Sequence, residues 1–108
     1  MDIEKFTERS RGFIQSAQGL ALRSNNQQFT PEHVLKVLLD DDQGMASSLI
    51  QRAGGNPRDA RLANDAALAK LPKVSGGNGN VYLSAPLAKV FSTAEDAAKK
   101  ADDALAGN

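Results

Sequence analysis

Few side chains in this sequence have the type and spacing that chemistry at a site would require. His33 is the only histidine, and a catalytic or metal-binding histidine needs further ligands or an activating partner. The three aspartates at positions 40–42 lack the glycine and glutamate spacing of an EF-hand calcium loop. We therefore expect His33 to pack or hydrogen-bond at a helix start, and the aspartates to form a solvated loop at a helix end.

Two further features could suggest catalysis, and neither has the context it would need. The glycine-rich stretch 76–79 is not followed by the Lys-Ser/Thr pair of a phosphate-binding loop, and the residues after it do not begin a helix. The serines lie in no nucleophile-elbow pattern. Cysteine is absent, which excludes disulfides, thiol catalysis and thiolate zinc sites. We predict no catalytic residue, no metal site and no cofactor in this chain.

Composition favours one small domain in a reducing compartment. The chain has 108 residues, of which 41% are hydrophobic, with 13 basic and 13 acidic side chains and a formal net charge of zero. A balanced charge offers no basic face for nucleic acid or an anionic membrane. The acidic start is unlike a secretory signal, and no apolar run approaches the ~20 residues of a membrane helix. A cytoplasmic location is the expectation.

Hydrophobic periodicity predicts five helices, and hence an all-α fold that must position any binding residue. The first helix has apolar residues at three- and four-residue spacing from Ile3 to Ala21. Thr7 could cap a helix that begins just after it, because its hydroxyl can accept a free first-turn N–H. Thr30 and Pro31 give the clearest helix start in the chain. The second helix is apolar on nearly every side, which predicts that it is the buried centre.

Three more helices follow from similar local signals. The third helix begins near Met45 and ends at the glycine pair 54–55. The fourth begins at Asn56 and Pro57 and ends at Pro72. Residues 81–83 read as an extended stretch docked on the core. The fifth helix follows Ser84, and its apolar stripe is expected to be mostly core: Leu87, Val90, Phe91, Ala94, Ala97, Ala98 and Ala101, with Leu105 as a further candidate.

The first and fifth helices have matching apolar positions when Thr7 is aligned with Ser84, which suggests an internal repeat. On this interpretation residues 1–72 are a first four-helix repeat, 73–85 a linker, and 86–105 the first helix of a second repeat. The chain would then stop within the second repeat, as an incomplete domain. Uncovered apolar surface on the first and fifth helices would favour self-association or instability, and the chain is expected to be a monomer or a weak self-associate.

Two motifs resemble the amino-terminal domain of the Clp family of AAA+ chaperones, and most closely its bacterial disaggregase branch. They are the start Glu4-Lys5-Phe6-Thr7-Glu8-Arg9-Ser10 and the run Thr30-Pro31-Glu32-His33-Val34-Leu35. The resemblance covers nearly the whole chain. It implies a helical bundle of two four-helix repeats attached to a hexameric ATPase ring. ATP and magnesium would be bound only in the ATPase domains, which this chain lacks, so the chain itself is not expected to be an enzyme.

The resemblance also implies a binding role and two contact residues. In such domains a threonine near the start of the first helix and an aspartate after the fifth helix contact substrate, and these match Thr7 and Asp103, with Asp102 as the alternative register. Thr93 and Ala97 stand where bulkier apolar residues can occur, which implies a shallower groove. The expected partners are unfolded or aggregated polypeptides. Docking of an adaptor protein is the alternative, and nucleic acid and membrane are not expected partners.

Overall fold

A computed structural model describes residues 3–41, 44–74 and 81–106, with side chains described for 8–41, 44–74 and 81–102. The fold is the predicted all-α bundle, with two very short strands added to it. In chain order the elements are α1 (Ile3–Arg23), β1 (Gln28–Phe29), α2 (Pro31–Leu39), α3 (Met45–Arg52), α4 (Pro57–Ala69), β2 (Tyr82–Leu83) and α5 (Ala85–Ala106).

The starts of α4 and α5 are set by side chains that accept from free first-turn N–H groups, as predicted, whereas at α2 the Thr30 backbone carbonyl accepts from the His33 N–H at 3.1 Å. Thr30 is the N-cap of α2, with Pro31 at the first helical position. The Asn56 side chain accepts hydrogen bonds from the backbone of Arg58 and Asp59 ahead of α4. The Ser84 hydroxyl accepts from the Leu87 N–H at 3.2 Å and so caps α5.

The prediction that Thr7 caps α1 is wrong. Helix α1 begins at Ile3, so Thr7 lies inside the helix rather than at its start. The apolar periodicity already begins at Ile3, and residues 4–6 contain neither glycine nor proline to delay the helix. Thr7 and Ser84 therefore do not share a capping role, although the apolar positions of α1 and α5 still align.

The end of α3 follows the glycine signal predicted from the sequence. Gly54 has a φ of +90°, a left-handed conformation that an L side chain rarely adopts. The Gly55 N–H donates to the Ile50 carbonyl at 2.8 Å, which closes the last turn of the helix. Of the predicted linker 73–85, residues 75–80 lie outside the described part of the chain.

The two short strands form a parallel pair that the sequence indicated only in part. Residues 81–83 were expected to be extended, and Tyr82 and Leu83 pair with Gln28 and Phe29. The backbone N–H of Tyr82 donates to the Gln27 carbonyl, and the backbone N–H of Ser84 donates to the Phe29 carbonyl, each at 3.0 Å. The pairing brings the start of α5 beside the start of α2, far from it in sequence.

The main core joins α1, β1 and α5. Ala17, Ala21, Phe29 and Leu87 are buried, with half-buried apolar side chains packed around them. Helix α2 contacts each of the other four helices, which agrees with its predicted central position. Its outer face is nevertheless open at Leu35, which is 36% exposed.

The prediction that the apolar stripe of α5 is mostly core is wrong. Leu87 is fully buried and Phe91 is half-buried, but Val90 and every side chain from 92 to 102 are exposed. Periodicity identifies which face of a helix is apolar and does not identify what covers it. Only the first two turns of α5 pack on the described core, and the remaining stripe presents alanines to solvent.

Candidate functional site

The two contact residues implied by the family resemblance lie on the longest helices. Thr7 is in the N-terminal part of α1, and Asp103 is in the last turns of α5. Both side chains fall outside the described ones, so their contact role stays a prediction. Asp102, the alternative to Asp103, is exposed, as are Thr93 and Ala97. An exposed α5 leaves this helix accessible to a ligand.

A groove between α1 and α2, called the α1–α2 groove from here on, is a second feature that could bind a ligand. Its volume is about 510 Å³. It is lined by Gly12, Phe13, Ser16, Leu20, Arg23, Lys36, Val37, Asp40 and Asp41. The lining combines half-buried apolar side chains with charged ones. No two side chains in this described set form a nucleophile–base pair.

An ion pair joins α1 to the loop after α2 at this groove. Arg9 donates to the Asp41 carboxylate at 3.2 Å, and its guanidinium lies 5.5 Å from the centre of the Phe13 ring. The aspartates were predicted to form a solvated loop, and this is only partly right, because the Asp41 side chain is 17% exposed and paired. Asp42 lies outside the described residues, and the described acidic and histidine side chains form no cluster suited to a metal ion.

Charged side chains tie α2 to α4 at the far wall of the groove. Lys36 contacts the carboxylates of Asp65 at 3.1 Å and of Asp40 at 3.3 Å. The hydrogen bond to Asp65 is the main cause that raises the pKa of Lys36 above its ordinary value, so the lysine stays charged. Arg61 donates to the Leu39 carbonyl at 2.6 Å. These contacts hold the C-terminal end of α2 in place. They also pair the charges of Lys36 and Asp40 within the protein.

His33 is the most buried polar side chain among the described residues, and it is the centre of a hydrogen-bond network. Its Nδ1 accepts from the Thr30 N–H at 3.0 Å, which assigns the proton to Nε2, and Nε2 donates to the Asn26 side-chain oxygen at 2.9 Å. Asn26 in turn donates to the Pro72 carbonyl at 3.3 Å. The prediction that His33 bonds at the start of α2 is confirmed, and the structure adds that it also joins the segments after α1 and α4.

Stability should fall on acidification through this histidine. Burial lowers the pKa of His33 below the ordinary value of 6.5, only partly offset by the charge of Glu32. Below about pH 6.5 the unfolded chain therefore binds a proton before the folded chain does, and the free energy of unfolding decreases as the pH falls.

Urea denaturation at about pH 7.5 and about pH 5.5 measures this effect. His33→Gln, which cannot titrate, is the matched variant and should show a smaller difference between the two pH values. Equal pH dependence in both proteins would show that other groups cause the decrease.

The chain belongs to the Clp repeat (R) N-terminal domain family, which its residues 5–107 match. This confirms the class of protein that the motifs indicated. Among its relatives it is 75% identical over 105 residues to the chaperone protein ClpB of Agrobacterium fabrum. It is 66% identical over 105 residues to ClpB of Mesorhizobium japonicum, and 37% identical over 103 residues to ClpB of Meiothermus ruber.

The alignments cover 97%, 97% and 95% of this chain but only 12% of each ClpB protein. The chain is therefore similar to one domain of ClpB, and spans a small part of the length of these relatives. Within the described residues, no helix combines the length and apolar character needed to cross a membrane.

Proposed function

We propose that this chain is the substrate-recognition domain of a ClpB-like, ATP-dependent protein disaggregase. It would bind exposed apolar segments of unfolded or aggregated proteins and pass them to an ATPase ring in the cytoplasm. The observation that carries the proposal is the 75% identity to a chaperone ClpB over 97% of the chain. ATP, magnesium and hexamer formation would belong to other domains, and this domain itself would do no catalysis.

The open face of α5 supports this proposal physically. Val90 is 49% exposed, and the alanines that continue its stripe are exposed too. A shallow apolar surface can accept many apolar side chains without strict sequence demands. Affinity at one such surface would be weak, and several copies on a ring would increase it through avidity.

A fluorescence-anisotropy titration tests the proposal, with a labelled, permanently unfolded polypeptide as ligand and a folded protein as control. Saturable binding to the unfolded chain alone is the expected result. Saturable binding to one folded protein, with no binding to unfolded chains, would instead favour an adaptor-docking domain. An absence of binding to the unfolded polypeptide, in a sample that circular dichroism shows to be helical, would refute substrate recognition by this domain.

The same titration tests the two contact residues. Thr7→Ala is expected to weaken binding about fivefold, the loss of roughly one hydrogen bond. Ser48→Ala, which removes a hydroxyl from exposed α3, should leave affinity unchanged. Asp103→Asn and Asp102→Asn, measured in parallel, distinguish the two registers. Unchanged affinity in Thr7→Ala would remove Thr7 from the site.

A further inference from the structure

We infer that the α1–α2 groove is a second polypeptide-binding site, which accepts a short apolar segment with a neighbouring carboxylate and binds that carboxylate through Arg23. Neither predicted contact residue is among the described side chains that line this groove. The choice of a polypeptide as the ligand rests on the proposed function. The location of the site and its preference for a carboxylate rest on the groove itself.

The floor of the groove is apolar and accessible. Phe13 and Leu20 on α1 and Val37 on α2 line it, and all three are half-buried rather than closed over. A volume of about 510 Å³ falls within the range of roughly 300–1,000 Å³ typical of ligand sites. It has room for a few apolar side chains of an extended segment, and burying them would release water from both surfaces.

Gly12 keeps one wall of the groove open. It lies in the interior of α1, where glycine costs roughly 1 kcal/mol relative to alanine. Gly12 does not have a positive φ. A Cβ atom built on Gly12 would have no described neighbour within 4 Å. Neither backbone conformation nor packing among the described residues therefore requires glycine here. A ligand that approaches α1 closely would require it.

Among the side chains that the structure describes, one cation of the groove has no ion pair. Lys36 and Asp40 are paired with each other, and Asp41 is paired with Arg9. Arg23 also lines the groove and has no ion pair or side-chain hydrogen bond to any side chain that the structure describes. Its guanidinium folds back along α1, with one nitrogen 3.1 Å from the position of a Cβ on Gly19. A guanidinium binds a carboxylate with two parallel hydrogen bonds, so the complementary ligand is acidic.

Two labelled peptides, both acetylated at the N-terminus and amidated at the C-terminus, test the charge preference: a run of leucines followed by aspartate, and the same run followed by asparagine. The wild-type domain is expected to bind the aspartate peptide about threefold more tightly, and the difference should shrink at high salt. Arg23→Gln should abolish the difference. Arg52→Gln, in the last turn of α3, is the control and should preserve it. An equal preference for the aspartate peptide in both variants would overturn the role of Arg23 in binding. Arg23 would then only stabilise the C-terminal end of α1.

Two substitutions at Gly12 test the groove itself. Gly12→Leu would fill the groove and should weaken binding of both peptides at least about fivefold, and Gly12→Ala, which adds only a methyl group, should weaken it by a smaller factor. Unchanged peptide affinity in Gly12→Leu, with the fold intact by circular dichroism, would overturn the inference. The wild-type domain and Gly12→Leu could bind unfolded polypeptide and both peptides with equal affinity. In that case the proposed function stands, and the groove is not the site that performs it. If the wild-type domain binds the peptides through Arg23 but not unfolded polypeptide, the groove stands and the proposed function fails.

Discussion

Replacing His33 with alanine is expected to destabilise the domain by about 3 kcal/mol, one of the two largest effects we predict for a single substitution. The side chain is 0% exposed, and its loss leaves the Thr30 N–H and the Asn26 oxygen without their partners. Each buried group left unpaired costs about 1–3 kcal/mol, and a cavity adds to that cost. The free energy of unfolding from urea denaturation measures the effect.

A double-mutant cycle separates the network from simple loss of volume. Asn26→Ala alone should also be destabilising, since Asn26 is 5% exposed and bonds both His33 and the Pro72 carbonyl. The double variant should lose less stability than the sum of the two single losses, because the partner of each removed group is then also absent. Gln18→Ala, on the exposed face of α1, is the control and should change stability by less than about 0.5 kcal/mol. Strict additivity would show that the hydrogen bond between His33 and Asn26 contributes little.

Leu87→Ala is expected to cost about 2–5 kcal/mol and to detach α5 from the bundle. Leu87 is 0% exposed and packs with Ala17, Ala21 and Phe29. Truncating a fully buried leucine removes apolar contacts and leaves a cavity. Among the described side chains of α5, only Phe91 adds a further half-buried contact to that core, so little else holds the helix in place.

Hydrogen exchange measured by mass spectrometry distinguishes detachment of α5 from global loss of stability. Amides of α5 should exchange faster in Leu87→Ala than those of α2 and α4, since local opening needs less free energy than unfolding the bundle. Val90→Ala, on the same helix but 49% exposed, is the matched control and should cost less than about 1 kcal/mol. Equal effects of the two substitutions would contradict the assignment of Leu87 as the anchor of α5.

Helix starts and stops were predictable because the signals that set them are local. The caps at Thr30, Asn56 and Ser84 act on N–H groups within three residues, and the stop at Gly54 depends on its own backbone angles. Thr7 was the exception, since the residues before it also fit a helix. The family motifs were equally readable from the sequence, and the comparisons confirmed the family without adding a contact residue.

What the sequence by itself determined is therefore the set of helices, their apolar faces and the family. The tertiary structure alone decided which faces are covered: Leu87 is buried, while the same stripe of α5 is open beyond Phe91. It also paired β1 with β2, joined His33 to Asn26, and placed Arg23 beside the α1–α2 groove. The physical reason is the range of the interactions. Capping and periodicity involve neighbours in sequence, whereas burial and buried hydrogen bonds depend on which distant segments the packed chain brings together.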